Sequence, residues 1–125
     1  MGIFSWGKKD SEESGKGSVN WIPLTDRSTI ESLRQRSYEK PVVIFKHSKR
    51  CGISTMMLSR FEREVTDGDS HDFYFLDLVA NREVSNQVAA ALDVRHESPQ
   101  LIELWQGVVR YHASHGDISA SALKD

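Results

Sequence analysis

The chain has 125 residues, of which 38% are hydrophobic and 27% charged, and its formal net charge is −2. These values are typical of one globular domain with a hydrophobic core. The charge balance gives no sign of nucleic-acid binding, and no apolar run approaches the roughly 18 residues of a transmembrane helix. The single cysteine excludes an internal disulfide and argues against a cysteine-rich zinc site. An unpaired thiol is typical of a reducing compartment, which favours the cytoplasm.

The composition of residues 1–20 predicts a flexible tail, which precedes a domain at 21–125. The Gly, Ser, Lys and Glu of this stretch bury too little apolar area to offset the entropy lost on ordering. Ile3, Phe4 and Trp6 form an apolar cluster near its start. An unstructured end is the favoured interpretation, and an anchor for a membrane surface or a partner is the alternative.

The folded part is predicted to begin with a short edge strand at 21–24, because Pro23 suits a sheet edge. A first helix follows, with Ser28 and Glu31 in the positions of a capping box, and it ends before Pro41. Residues 42–45 form a short apolar run that predicts a buried strand. Five polar and mostly basic residues, 46–50, then lead to Cys51.

A second helix is predicted directly after Cys51, where the spacing of apolar residues changes to three and four. Met56 and Met57 are assigned to its inward stripe. The residues at helical spacing are Ile53, Met56, Met57, Phe61 and Val65.

Residues 73–78 predict a strand with both faces covered, since they are almost continuously apolar. Asn81 is placed to cap a third helix. The inward face of that helix is predicted to hold Val84, Val88, Ala91 and Leu92.

Two further strands at 101–105 and 108–112, joined by Gln106 and Gly107, predict a β-hairpin. Asp117 or Ser119 is placed to cap a short last helix that ends at Leu123. Strands and helices alternate before the hairpin, so we expect parallel strands in a mixed sheet.

Cys51 is the candidate nucleophile. The first N–H groups of a helix lack intrahelical partners and the helix dipole is positive there, so both favour a thiolate over a thiol. Lys49 and Arg50 add positive charge. These are the surroundings of reactive cysteines, and the alternative is a buried cysteine that acts as a small hydrophobic residue.

The order of elements, with a cysteine at a helix start and a proline before the hairpin, resembles the thioredoxin fold. The resemblance implies a mixed sheet of four to five strands flanked by helices on both faces. It also implies that Pro99 follows a cis peptide bond close to Cys51, and that Ser98 contacts the substrate.

A closer resemblance is to the monothiol bacilliredoxins of the bacillithiol system. It rests on the Lys46-His47-Ser48 lead-in, on Cys51-Gly52-Ile53-Ser54, on Ser98-Pro99-Gln100, and on the segments at 21–24 and 114–118. Those proteins commonly carry Pro after the cysteine, where this chain has Gly52. The resemblance implies a thiol–disulfide oxidoreductase that has no bound cofactor and uses bacillithiol or a similar small thiol as co-substrate. Its partners would be client proteins that carry mixed disulfides.

Residues 51–54 are also similar to the CGFS motif of monothiol glutaredoxins, which can carry an iron–sulfur cluster. The Gly-Gly segment expected near the end of that family is absent. A thioredoxin-like binding module with an inert thiol is the remaining alternative.

The bacilliredoxin interpretation assigns further roles around the cysteine. Lys46, Lys49 and Arg50 are candidates to bind the carboxylates of a small thiol, the alternative being a solvated loop. His47 is either a proton relay or a residue that orients the loop. Ser54 replaces the second cysteine of a CxxC enzyme. Pro99, His47 and Ser54 are also assigned to the substrate-binding site.

His112 and His115 have a spacing that invites a metal-site interpretation. No thiolate or carboxylate motif accompanies them in the sequence, so a solvent-exposed pair is favoured and no metal site is predicted.

Overall fold

A computed structural model describes residues 19–123 of the chain. Within that range, five strands form one sheet. They are β1 (Ile22–Pro23), β2 (Val42–His47), β3 (Asp72–Asp77), β4 (Gln100–Trp105) and β5 (Val108–Ser114). The helices are α1 (Thr29–Arg36), α2 (Gly52–Glu64) and α3 (Arg82–Leu92). Short 3₁₀ helices follow at His115–Asp117 and Ala120–Ala122.

The sheet is mixed, with the strand order β1-β3-β2-β4-β5. β1, β3 and β2 run parallel, whereas β4 is antiparallel to β2 and β5 is antiparallel to β4. This arrangement confirms the predicted parallel strands and closing hairpin. β2 is buried along its whole length. Cys51 follows in the sequence shortly after the end of this strand.

Helices cover both faces of the sheet, as predicted. Alternate residues of β2 point to opposite sides and so pack against different helices. Val42 and Ile44 join a core cluster with residues of α1 and α3. Val43 and Phe45 join a second cluster that includes Met57 and Phe61 of α2. α2, which follows Cys51, therefore packs alone on its side of the sheet among the three α-helices described.

The inward stripe of α2 differs from the prediction. Ser54, Met57 and Phe61 are buried, whereas Met56 is 59% exposed and Ile53 is 38% exposed. The assignment of Met56 to the core was wrong, since two adjacent methionines on a helix lie about 100° apart and only one can point inward. Ile53 and Met56 instead form an apolar surface just after Cys51.

The predicted helix caps are correct in position but not in bonding. Ser28 and Asn81 stand at the N-cap positions of α1 and α3, and neither side chain makes a capping hydrogen bond. Ser28 has helical dihedral angles (φ −66°, ψ −18°), whereas an effective N-cap residue is extended. The Asp26 carboxylate instead accepts the Ser28 N–H at 2.9 Å. The predicted inward face of α3 was wrong at Ala91, which is exposed.

Both ends of the described range pack against the domain or form short local turns. Val19 packs against the core cluster of α2, while the rest of the predicted tail, including Ile3, Phe4 and Trp6, lies outside the described residues. The predicted last helix is a 3₁₀ turn at Ala120–Ala122, where the Ser119 side chain accepts the Ser121 N–H. None of the described helices combines the length and apolarity needed to span a membrane.

The hairpin between β4 and β5 turns at Gln106 and Gly107, as predicted. Both residues have positive φ, 54° and 84°, which is the requirement of the tight turns that match the twist of two antiparallel strands. The φ of Gly107 is one that other residues rarely adopt, so this turn position favours glycine.

Candidate functional site

Cys51 is the N-cap residue of α2, at the strand-to-helix junction that the sequence predicts, and it is partly exposed. Its carbonyl accepts the N–H groups of Ser54 and Thr55 at 3.1 and 3.2 Å, and its own N–H donates to Ser48. None of the first-turn residues of α2 is acidic, so no side chain there opposes the positive end of the helix dipole. Cys51 is therefore partly exposed at the positive end of the α2 dipole.

Residues 48–51, between β2 and α2, form the cysteine loop. Ser54 and His47 pack against this loop and stabilise it. Ser54 is fully buried; its hydroxyl lies 2.8 Å from His47 Nδ1 and accepts the Ser48 N–H at 3.1 Å. Burial lowers the pKa of His47, and the nearby Asp77 carboxylate partly opposes this effect. The His47 ring also lies against Phe75, with 5.3 Å between centroids. This geometry suits residues that hold the loop more than residues that contact a substrate.

Ser54→Ala is expected to lower the free energy of unfolding by about 1–3 kcal/mol, because the partly buried Ser48 N–H loses its acceptor and His47 Nδ1 loses its buried partner. Urea denaturation of the two proteins measures this difference. Ser59→Ala is the matched control, since Ser59 is an exposed serine on the same helix. Equal stability of Ser54→Ala and the wild-type protein would contradict the supporting role.

The loop before β4 contains the expected cis peptide bond between Ser98 and Pro99. Pro99 is buried, and its carbonyl accepts the His115 N–H at 3.0 Å. The Ser98 hydroxyl is buried and makes no hydrogen bond within the part of the chain that the structure describes. Ser98 thus carries a buried hydroxyl that lacks a hydrogen-bond partner among the described residues.

A cavity of about 360 Å³ joins the cysteine loop to the loop before the cis proline. Arg50 and Ser98, both predicted as substrate-binding residues, meet in its wall. The full lining is Ser48, Arg50, Leu78, Val79, Arg82, His96 and Ser98. The cavity is therefore bounded by both neighbouring loops and by the start of α3.

Lys49, another predicted binding residue, does not line this cavity. Its side chain is 67% exposed, and its ammonium group lies 4.0 Å from the Asp77 carboxylate. The structure therefore separates the two adjacent basic residues, with Arg50 at the cavity and Lys49 in solvent.

Lys46 is not part of an exposed basic loop, and that element of the prediction was wrong. β2 continues to His47, so Lys46 is fully buried on the face that also carries Val42 and Ile44. Its ammonium group lies 3.2 Å from His96 Nδ1. Burial lowers the pKa of Lys46 from 10.5 to about 8.

Lys46→Met is expected to raise the free energy of unfolding at pH 7, because it replaces a buried cation with an apolar chain of similar length. Between pH 8 and 10.5 the unfolded wild-type chain retains a proton that the folded chain has released, so wild-type stability rises with pH. The advantage of the variant should therefore shrink across this window, by up to about 1.4 kcal/mol per pH unit.

Urea denaturation at several pH values measures this difference. Lys49→Met is the control, since Lys49 is largely exposed, and its difference from the wild-type protein should stay flat. A constant difference for Lys46→Met across the same pH values would contradict the effect of burial.

The sequence did not identify His96 and Arg82 as site residues. Burial lowers the pKa of His96, and the positive charges of Lys46 and Arg82 lower it further. The sequence signal that could have found them is the alternation of side chains along β2. This alternation puts Lys46 on the side of the sheet that α3 covers, and Arg82 is the first residue of that helix.

His112 and His115 do not form a metal site with neighbouring residues. His115 Nε2 lies 3.7 Å from the Glu97 carboxylate, and both histidines are exposed. Within residues 19–123, no group of three histidine, cysteine or acidic side chains converges as metal ligands would.

Comparison with solved structures supports the architecture. A candidate oxidoreductase with a thioredoxin fold is 30% identical and has a TM-score of 0.70, covering 82% of this chain and 88% of its own. Thioredoxin from Malassezia sympodialis (Mala s 13) is 20% identical with a TM-score of 0.63, and each chain is covered to 88%. Thioredoxin O2 from Arabidopsis thaliana in the oxidized state is 17% identical with a TM-score of 0.62, covering 78% of this chain and 84% of its own. The last two proteins are similar to this chain in fold alone.

The family comparison is more specific. The model of the monothiol bacilliredoxin BrxC family matches residues 22–123, which include every site residue described above. The single cysteine of the chain agrees with the monothiol description. The chain therefore belongs to the monothiol bacilliredoxin BrxC family and is a thiol oxidoreductase of the thioredoxin fold.

Proposed function

We propose that this protein removes a low-molecular-weight thiol, bacillithiol or a similar molecule, from mixed disulfides on client proteins. Cys51 is the nucleophile. The observation that carries the proposal is a partly exposed lone thiol at the N-terminus of α2, next to a cavity that includes Ser98. Because Cys51 acts as a free thiol, we expect the reaction to take place in the cytoplasm.

The first step is a thiol–disulfide exchange. The Cys51 thiolate attacks the sulfur of the small thiol in the mixed disulfide. A new disulfide forms between Cys51 and the small thiol, and the client sulfur leaves as a thiolate that takes a proton from solvent. The client is restored to its reduced form, and the protein now carries the small thiol.

The second step needs another thiol, because the chain has no second cysteine. A free small thiol attacks the adduct on its non-protein sulfur. Cys51 leaves as a thiolate, and the two small thiols depart as a disulfide. Ser54 stands where a CxxC enzyme has its second cysteine, and its hydroxyl is already bonded to His47 and to the Ser48 N–H.

The surface beside Cys51 suits a protein client. Ile53 and Met56 are exposed apolar side chains in the first turns of α2. An accessible thiol next to an apolar surface allows a client chain to bury apolar area while its mixed disulfide reaches Cys51.

The test is the rate at which a bacillithiolated client regains its free thiol with excess bacillithiol present. The wild-type protein should raise this rate in proportion to its concentration. If the client regained its free thiol no faster with the protein than with bacillithiol alone, the proposed function would be overturned.

A further inference from the structure

The cavity beside Cys51 has a marked excess of positive charge. Arg50 and Arg82 lie in its wall. Lys46 contacts His96, which is also a lining residue. Among the residues that line it within the described range, none is acidic. Glu97, in the same loop as His96, is 3.7 Å from His115 and 3.8 Å from Arg95 and does not line the cavity.

The donors of this cavity are available. Within residues 19–123, no hydrogen bond or ion pair engages the side chains of Arg50 and Arg82. The Ser98 hydroxyl is buried without a partner. A buried polar group without a partner costs free energy that a bound ligand can recover.

His96 adds a directed donor. The Lys46 ammonium can only donate, so His96 Nδ1 accepts at 3.2 Å and the ring proton is on Nε2. Burial and the positive charges of Lys46 and Arg82 lower the pKa of His96, and the Glu97 carboxylate partly opposes this effect. Nε2–H therefore remains as the donor of a side chain that lines the cavity.

We propose that this cavity binds a carboxylate of the small thiol, with Arg82 and Arg50 as its cationic partners and Ser98 and His96 as additional donors. Guanidinium groups pair well with carboxylates, and Cys51 directly follows Arg50 in the chain, so a ligand held by Arg50 lies near the thiol. Lys49, which lies outside the cavity, has no part in it. This inference rests on the proposed function and names the chemical class of its co-substrate, a thiol that carries carboxylates.

The charge of the whole protein cannot produce this preference. The formal net charge is −2, which repels an anionic ligand at long range. A preference for an anionic disulfide must therefore arise locally.

The test compares two disulfides that differ only in their carboxylates: oxidised glutathione and the disulfide of glutathione diethyl ester. Both transfer one half to Cys51 by the same exchange, and intact mass measures the rate of adduct formation. The wild-type protein should react faster with the anionic disulfide. Arg82→Gln should lower that rate roughly 10-fold, as expected for loss of a charged hydrogen bond, and leave the ester rate within about twofold.

Two controls separate the site from general charge effects. Arg60→Gln removes an arginine that lies on α2 away from the cavity, and it should change neither rate. Arg82→Lys should keep most of the preference, because the charge remains. Urea denaturation of each variant checks that the fold is retained.

Equal wild-type rates with the two disulfides, or an equal loss with both in Arg82→Gln, would overturn the carboxylate site. That result leaves the client assay unaffected, so the proposed function would stand. A protein that prefers the anionic disulfide but does not accelerate client release would instead overturn the proposed function alone.

Discussion

We expect Cys51→Ser to abolish release of the small thiol from client mixed disulfides. We expect the rate to fall by roughly 10³-fold or more, to that of the uncatalysed exchange, because removal of a covalent nucleophile leaves no alternative route. The chain contains no other cysteine that could substitute. The measurement is the appearance of the client thiol at equal protein concentrations.

The control for this variant is Met56→Ala, which alters the exposed surface next to Cys51 without touching a thiol. It should retain the exchange chemistry and change mainly the dependence on client concentration. Activity of Cys51→Ser close to the wild-type rate would contradict the assignment of the nucleophile.

Phe61→Ala has the largest expected effect on stability, a loss of about 3–5 kcal/mol in the free energy of unfolding. Phe61 is fully buried, and its ring lies 5.7 Å from Phe45 and 6.2 Å from Phe73, measured between centroids. These contacts hold α2, and with it the thiol at its N-terminus, against the sheet. Such a loss is a large share of the 5–15 kcal/mol by which a typical domain is stable.

Urea denaturation measures the effect, and Met56→Ala again serves as the matched control. Met56 lies on the same helix but is 59% exposed, so its substitution should change stability by no more than about 0.5 kcal/mol. Equal losses in the two variants would contradict the observed orientation of α2.

The position of Cys51 could be predicted because it depends on a local pattern. An apolar strand, a short polar segment and a helical repeat follow each other directly, and the cysteine falls at the boundary. The cis bond before Pro99 could not be obtained from the residues alone, since few X–Pro bonds in folded proteins are cis, and it was predicted only by resemblance. The structure confirms both features.

The cavity could not be predicted, because it depends on contacts between distant parts of the chain. Arg50, Arg82 and Ser98 come from three different loops or element ends, and no sequence spacing relates them. Lys46 was misplaced for a related reason. An apolar run does not mark where a strand ends when the next residues are polar but buried.

The helix errors have a simpler origin. Met56 fits the helical repeat as well as Met57 does, and only packing against the sheet decides which of the two points inward. The proposed cap at Ser28 failed because Ser28 itself has helical dihedral angles, and the N–H groups of Thr29 and Ile30 donate to the carbonyls of Asp26 and Arg27.

In the proposed mechanism, Cys51 itself carries the small thiol between client and reductant. Intact-mass measurement during a single turnover, with bacillithiolated client and no free thiol, detects this intermediate. We expect reduced client together with a protein heavier by one bacillithiol less two hydrogens, located on the peptide that contains Cys51. Reduced client that appears while this protein keeps its original mass would show that Cys51 does not carry the thiol.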